Sequence, residues 1–465
     1  MIAVRIAQFL LSLTILVVLH ELGHYTFARL FKTRVNNFYM FFNPWFSLVK
    51  LTPKKGTGEN TEKRRIRFFS ERSFIVIPTK GKDTEWGIGW VPLGGYCSID
   101  GMVDETQRVD KLSEEAKPWE FRSKKAWQRL LIISGGVLVN FLLALFIYIM
   151  LMFCYGEEYI PLKNAQYGMQ FSEVAQAAGF QNGDIIISVN NQPVERTGDF
   201  VEAVLLDGNN KVTVLRNGKH VTITLPADFT ANVLKNQEAG LMDYRFPFVV
   251  AAVEKGSIAD KVGMQPGDSL VAINGTPTIA FQDVRHLLEQ NANKTIEIVL
   301  VRNQRLDTIT MQLDENARMG VQVKSVLDYI PTERKEYGFF ASVPAGISQG
   351  INTLVGYVKQ FKLVFTPEGA KSMGGFITIG KLFPEVWDWY YFWNMTAFLS
   401  VILAFMNILP IPGLDGGYIL FILYEMITGR KPSDKFLERA VTIGFILLLL
   451  LLIWANVNDI IRLFK

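Results

Sequence analysis

The stretch His20-Glu21-Leu22-Gly23-His24 closes an apolar run that starts at Ile6 and has Arg5 as its only nearby charge. Positions four apart share a helix face, so two imidazoles at this spacing can grip one metal ion. Glu21 projects beside them, placed to take a proton from water at such an ion. Ionisable groups are costly in hydrocarbon, which makes these three a functional site by default. The chain has four histidines in all, so a chance match to this pattern is rare. The competing reading is a pair of structural histidines bonded to a neighbouring helix.

A catalytic zinc takes three protein ligands, and a carboxylate inside a membrane needs a partner. Asp415 meets both needs at the end of Asn407-Ile408-Leu409-Pro410-Ile411-Pro412-Gly413-Leu414-Asp415-Gly416-Gly417. The prolines and glycines break helical regularity, which is tolerable at this depth where the freed backbone groups are buried or line a cavity. The plainer alternative is that Asp415 caps a helix at the membrane edge.

These residues must be carried by membrane spans. The chain has 465 residues, of which 49% are hydrophobic, and a mean hydropathy of +0.19. It is too long for one domain and too apolar for an ordinary soluble protein. A net charge of +4 carries no nucleic-acid footprint. Four stretches approach the roughly 20 apolar residues needed to span a bilayer. They are residues 6–31, 130–155, 393–411 continuing towards 427, and 441–457. The first resembles a signal peptide, but no small-residue cleavage site follows and a cut would sever the histidine motif, so it is read as retained. Lys32, Arg34, Arg122, Lys124, Lys125 and Arg129 flank the first loop, and Arg430, Lys431, Lys435 and Arg439 fill the last. Basic flanks mark the cytoplasmic side, so both termini and residues 156–390 are expected outside, periplasmic in a Gram-negative cell. His24 lies five residues from Arg29, roughly 7.5 Å along a helix, near the cytoplasmic edge of the hydrocarbon. Cys97 and Cys154 then fall on opposite sides of the membrane and are not expected to pair.

Between the spans, residues 73–78 and 86–91 read as strands leading to Pro92-Leu93-Gly94-Gly95-Tyr96, a hairpin or strand edge. Such an edge at the membrane surface can pair with an extended peptide; a loop packed on the spans is equally compatible. Gly135, Gly136 and Asn140 in the second span allow close helix approach, with the asparagine as interhelical glue. Residues 156–327 hold an internal repeat. Gln181-Asn182-Gly183-Asp184, Val189-Asn190 and Pro193 recur as Gln265-Pro266-Gly267-Asp268, Ile273-Asn274 and Pro277, each copy followed by a helix and two strands. The copies resemble a tandem of circularly permuted PDZ domains. Neither has a clear Gly-Leu-Gly-Phe-type carboxylate loop, so they are either peptide grooves or a bulky gate against large substrates. Residues 343–365 have the pattern of an amphipathic helix in the outer interface. Trp387, Trp389, Tyr390, Tyr391 and Trp393 mark re-entry into the bilayer.

Together the two metal motifs and the inserted repeats resemble the site-2 protease family, intramembrane zinc metalloproteases of the M50 type, in its bacterial RseP-like (regulator of sigma-E protease) group. The resemblance implies Zn2+ on His20, His24 and Asp415, and Glu21 as catalytic acid and base. It also implies Asn407 at the substrate or oxyanion, and a β-loop at Gly94 and Gly95 holding the substrate strand. Substrates would be single-span membrane proteins of the anti-sigma-factor type, already trimmed by a site-1 protease, and signal-peptide remnants; partners are these and the lipid bilayer, with no nucleic acid. The location implied is the bacterial inner membrane. Relatives often carry Gly-Pro-Ile at re-entry, where Gly374 is followed here by Gly375-Phe376-Ile377.

The expected fold is a polytopic α-helical membrane protein with four transmembrane helices, two inserted circularly permuted PDZ domains (α+β) and a membrane-associated β-loop. Residues 1–32 form helix one with the zinc motif, 33–127 a cytoplasmic loop with a β-hairpin, and 128–156 helix two. Residues 157–242 and 243–327 form the PDZ domains, and 328–389 the interfacial helix and re-entry segment. Residues 390–428 form helix three with the third zinc ligand, and 436–460 helix four. Two other classes compete: a catalytically inactive PDZ membrane adaptor, and a metal transporter. The transporter would string ionisable groups across the membrane, and residues 441–457 hold none.

Overall fold

The computed structural model describes residues 2–53, 67–70, 73–79, 84–92, 94–102, 115–235, 240–366 and 374–463. It divides into two units, one of residues 1–156, 336–358 and 373–465, the other of residues 157–335 and 359–372. The long helices, together with the short α4, are in order α1 (Ile2–Leu30), α2 (Ala126–Cys154), α3 (Phe339–Phe361), α4 (Phe376–Lys381), α5 (Trp389–Ile408), α6 (Asp415–Thr428) and α7 (Asp434–Leu463). Of these, α1, α2, α5 and α7 are long and apolar enough to cross a membrane. The chain is a polytopic helical membrane protein.

Small residues set how closely these helices approach, since lipid supplies no hydrophobic drive between them. A Cβ at Gly23 of α1 would lie 2.3 Å from the Gly135 carbonyl oxygen of α2, so the two backbones touch. Thr396 of α5 donates to Ser12 of α1 (3.0 Å), and Ser400 donates to the Asn140 carbonyl of α2 (2.7 Å). Helix α3 packs through small residues. Its buried residues are Ser342, Gly346 and Gly350, spaced four apart, whereas Ile351, Val355 and Val358 are exposed. A Cβ at Gly346 would meet the Ile149 backbone of α2 at 2.5 Å. The small stripe packs and the apolar stripe is exposed, the inverse of an ordinary helix on a soluble protein.

Helix α4 contains Phe376 and Ile377 of the expected re-entry segment, and α7 holds it in place. Asn456 accepts from the Phe376 amide (3.3 Å) and Asp459 from the Thr378 amide (3.0 Å). Gly375 is required by that contact, since a Cβ there would lie 2.7 Å from Asn456 Oδ1.

Strands β1 (Val35–Tyr39), β2 (Ser47–Pro53), β3 (Arg67–Ser70), β4 (Ser73–Thr79), β5 (Glu85–Ile88) and β6 (Tyr96–Ile99) form one mixed sheet in the order β3-β4-β2-β5-β1-β6. Of the two expected forms, hairpin or strand edge, Gly94 and Gly95 lead into the edge strand β6, while β4 and β5 do not pair but flank β2, one parallel and one antiparallel. Among the described residues β6 pairs only with β1. It lies at the sheet's edge against α1, and Ile99 shares a core with Ala28 of α1, Ile132 of α2 and Ile422 of α6.

In the second unit, β7 (Glu157–Tyr159) pairs with β20 (Glu333–Lys335), enclosing two copies of one topology. The first copy runs β8 (Met169–Phe171), β9 (Ile185–Val189), β10 (Gln192–Pro193), β11 (Lys211–Arg216), β12 (Lys219–Thr224) and β13 (Met242–Tyr244). The second runs β14 (Val250–Val253), β15 (Ser269–Ile273), β16 (Thr276–Pro277), β17 (Thr295–Arg302), β18 (Arg305–Gln312) and β19 (Val321–Val323). Sheets β10-β9-β11-β12 and β16-β15-β17-β18 match, and in each copy the first strand pairs with the last.

The repeated Gln-x-Gly-Asp has a structural cause. Arg216 and Arg302 grip Asp184 and Asp268 through two nitrogens each, all at 2.7 Å, and each aspartate also accepts from the amide of Gln181 or Gln265. Burial would push the Asp268 carboxyl up, but the Arg302 and Gln265 hydrogen bonds outweigh it and hold the group below the ordinary carboxylate range. A lowered folded value means the pair's contribution is complete above the unfolded value near pH 4 and is lost as pH falls through the folded one. Arg302→Met should therefore lower amide-exchange protection of β15 and β17 at neutral pH. It should also flatten the loss that wild type shows below about pH 4. Equal acid sensitivity in the two proteins would refute this role.

Candidate metal centre

Helix α1 carries His20 and His24 one turn apart, both buried, with ring centroids 4.8 Å apart and planes nearly perpendicular. Their Nε2 atoms are 3.2 Å apart, and each is 3.3 Å from Oδ2 of Asp415. Asp415 reaches this point because the chain breaks after α5. Leu409, preceding a proline, is extended (φ −60°, ψ 140°). Gly413 then takes a left-handed turn (φ +98°), and α6 starts on Asp415 itself. The return is tight: a Cβ at Gly416 would lie 2.1 Å from the Leu409 carbonyl oxygen. Further along α6, Glu425 pairs with the buried Arg129 of α2 and ties the helix down.

Three donor atoms at the corners of a triangle of 3.2–3.3 Å sides fit a small tetrahedral cation. Bonds of roughly 2.0–2.1 Å to zinc place neighbouring ligands about 3.3–3.4 Å apart. The chemistry of the set agrees. The His24 Nδ1 donates to the Ile132 carbonyl (3.0 Å), so Nε2 of the neutral ring carries a lone pair towards its neighbours. Oδ2 of Asp415 is buried and makes no hydrogen bond among the described residues. This set fits Zn2+ and offers two nitrogens and one oxygen, leaving a position open.

Glu21, Asn407, Gly94, Gly95 and the three candidate ligands line one cleft of about 440 Å3. Asn407 Nδ2 is 3.5 Å from His20 Nε2. The Cys97 backbone of β6 lies beside the Glu21 carboxylate, and both residues line the cleft. Gly94 and Gly95 directly precede β6; Gly94 accepts from the Phe42 amide (3.1 Å), and a Cβ at Gly95 would meet the Tyr39 carbonyl at 2.5 Å and Val17 of α1 at 3.1 Å. The seven site residues read from the sequence, His20, Glu21, His24, Gly94, Gly95, Asn407 and Asp415, thus meet at this cleft.

Two residues treated there as helix packing lie against the two histidine rings. A Cβ at Gly136 would lie 2.5 Å from His24 Nε2 and 2.6 Å from His20 Cε1, and Asn140 Nδ2 is 3.1 Å from His20 Nδ1. Residues 132, 136 and 140 repeat every four along α2, as 20 and 24 do along α1; that shared period is the available sequence signal.

The sequence signature of peptidase family M50 matches residues 8–58 and 68–451. A Neisseria meningitidis protein named "Putative zinc metalloprotease" is 29% identical over 98% of both chains, and one of the same name from Vibrio cholerae is 26% identical over 98% of both. The "Regulator of sigma E protease" of Haemophilus influenzae is 25% identical over 98% of this chain and 99% of that one.

Proposed function

The chain belongs to peptidase family M50 and is a zinc metalloprotease, and from that premise we propose that it hydrolyses peptide bonds inside the membrane. His20, His24 and Asp415 hold the ion, and the observation carrying this reading is the triangle of 3.2–3.3 Å between their donor atoms. When bound, Zn2+ supplies a Lewis acid that brings the ionisation of water towards neutral pH. Glu21 takes the proton from water and delivers it to the leaving amine. The Asn407 amide donates to the scissile carbonyl oxygen as it gains charge.

A substrate helix hides its backbone in its own hydrogen bonds, so it must unwind first. Each amide then exposed to lipid costs several kcal/mol. The outer edge of β6, entered through Gly94 and Gly95, can pair with those amides by strand addition. The Cys97 backbone lies beside Glu21, the group that a substrate strand would meet there.

The two repeats are circularly permuted PDZ domains. The second has a groove of about 840 Å3 between β19 and its helix Phe281–Gln290, lined by Val321, Val323, Arg285 and Leu288, which supports that assignment. With the basic flanks inside, the repeats and both termini lie outside the inner membrane. Substrates are single-span proteins trimmed beforehand by another protease. The name of the Haemophilus influenzae relative supports the anti-sigma-factor type, and signal-peptide remnants are the simplest further class.

The test is reconstitution of the full chain in bilayers with single-span substrates. A zinc chelator should abolish cleavage and Zn2+ restore it. Substrates with large folded outer domains should be cut far more slowly than their trimmed forms. Chelator-resistant cleavage would overturn the metal reading, and equal rates for intact and trimmed substrates would overturn the gating.

A further inference from the structure

Asn140 lies in the middle of α2, fully buried, and its Oδ1 has no hydrogen-bond partner. Its other amide atom, Nδ2, faces His20 Nδ1 at 3.1 Å, and its main-chain carbonyl is held by Ser400 of α5. The two ends of a carboxamide have nearly the same shape, so either can face the imidazole. The choice decides what His20 can do. If Nδ2 donates to Nδ1, the proton of the neutral ring sits on Nε2, the atom nearest His24 and Asp415, and blocks ligation. If Oδ1 faces Nδ1, it accepts that proton's hydrogen bond, and the Nε2 lone pair turns towards the other two donors.

We propose that Asn140 is a positioning residue for the metal centre, its side-chain oxygen accepting from His20 Nδ1 and so fixing the ring tautomer that leaves Nε2 for the ion. The inference rests on the ligand assignment made above. Helix α2 contributes no ligand, yet it orients both histidines: the Ile132 carbonyl does for His24 what Asn140 does for His20. A plain interhelical contact would need only size and polarity at this position, whereas tautomer control needs an acceptor.

The test compares zinc affinity of the full-length chain, by competition with a chromophoric chelator, in wild type, Asn140→Leu, Asn140→Asp and His20→Ala. Leucine is close in size and accepts nothing; aspartate keeps an acceptor oxygen. Outer-shell partners of metal-bound histidines typically govern about ten- to hundredfold in affinity, so Asn140→Leu should fall by that much and Asn140→Asp stay within about threefold of wild type. Asn140→Ala, which removes the acceptor without bulk, carries the same expectation as leucine, and melting of the metal-free proteins tests their folding. Wild-type affinity in the leucine and alanine variants, or an aspartate variant as weak as leucine, overturns the proposal. Wild-type affinity in His20→Ala instead overturns the ligand assignment.

Discussion

Glu21→Gln should leave zinc bound and cleavage of a single-span peptide slower by roughly a thousandfold or more. The substitution preserves the length and volume of the side chain and leaves His20, His24 and Asp415 untouched, so the ion has no cause to leave. What disappears is the base. An amide cannot take a proton from water near neutral pH, nor return one to the leaving nitrogen. General acid–base groups usually contribute about 10²–10⁴, and one serving in both steps belongs at the upper end. Besides Glu21 and the candidate ligands, the ionisable side chains lining the cleft among the described residues are Tyr96, Cys97 and Tyr418, phenols and a thiol of the kind that ordinarily keep their protons at neutral pH and so do not replace a carboxylate base. Single-turnover cleavage and zinc content measured on the same sample decide the matter. A variant within tenfold of wild type would remove Glu21 from the chemistry, and one that had lost its zinc would give it a structural role instead.

How legible this centre was in the chain depended on the background against which each residue stood. His20, Glu21, His24 and Asp415 were conspicuous because lipid makes ionisable groups expensive. The spans were legible for the same reason in reverse. Gly136 and Asn140 were not, because glycine and asparagine are common packing residues in membrane helices, and only the facing period of α1 and α2 gives them a target. The repeat was readable because its turn residues are fixed by a hydrogen-bonded Asp–Arg pair in each copy. The six-stranded sheet was not, because β2 pairs with partners on both sides from later in the chain and such pairing leaves no local period. Helix α3 showed its apolar stripe plainly, but which stripe faces inward depends on the surrounding medium, not on the pattern.

Gly136→Ala should cost the centre as much as the loss of a ligand. A Cβ at this position would stand 2.5 Å from His24 Nε2, 2.6 Å from His20 Cε1 and 2.8 Å from His20 Nδ1, inside van der Waals contact with both rings at once. The strain has no inexpensive outlet. Rotating either imidazole breaks the triangle of donor atoms, and His24 would also surrender its bond to the Ile132 carbonyl. Moving α2 outward would relieve the clash but separate the backbones that touch at Gly23 and Gly135, and would pull Ile132 and Asn140 away from the rings they orient. Zinc affinity is therefore expected to drop by at least about a hundredfold, the upper end of what disturbing the surroundings of a metal-bound histidine produces, with proteolysis falling in step. Gly356→Ala is the matched control, a helical glycine whose added methyl would meet nothing within 4 Å, and it should leave affinity and rate unchanged. If Gly136→Ala binds zinc within about threefold of wild type while remaining folded, the close approach of α2 is not what shapes the site, and the orienting role of that helix falls with it.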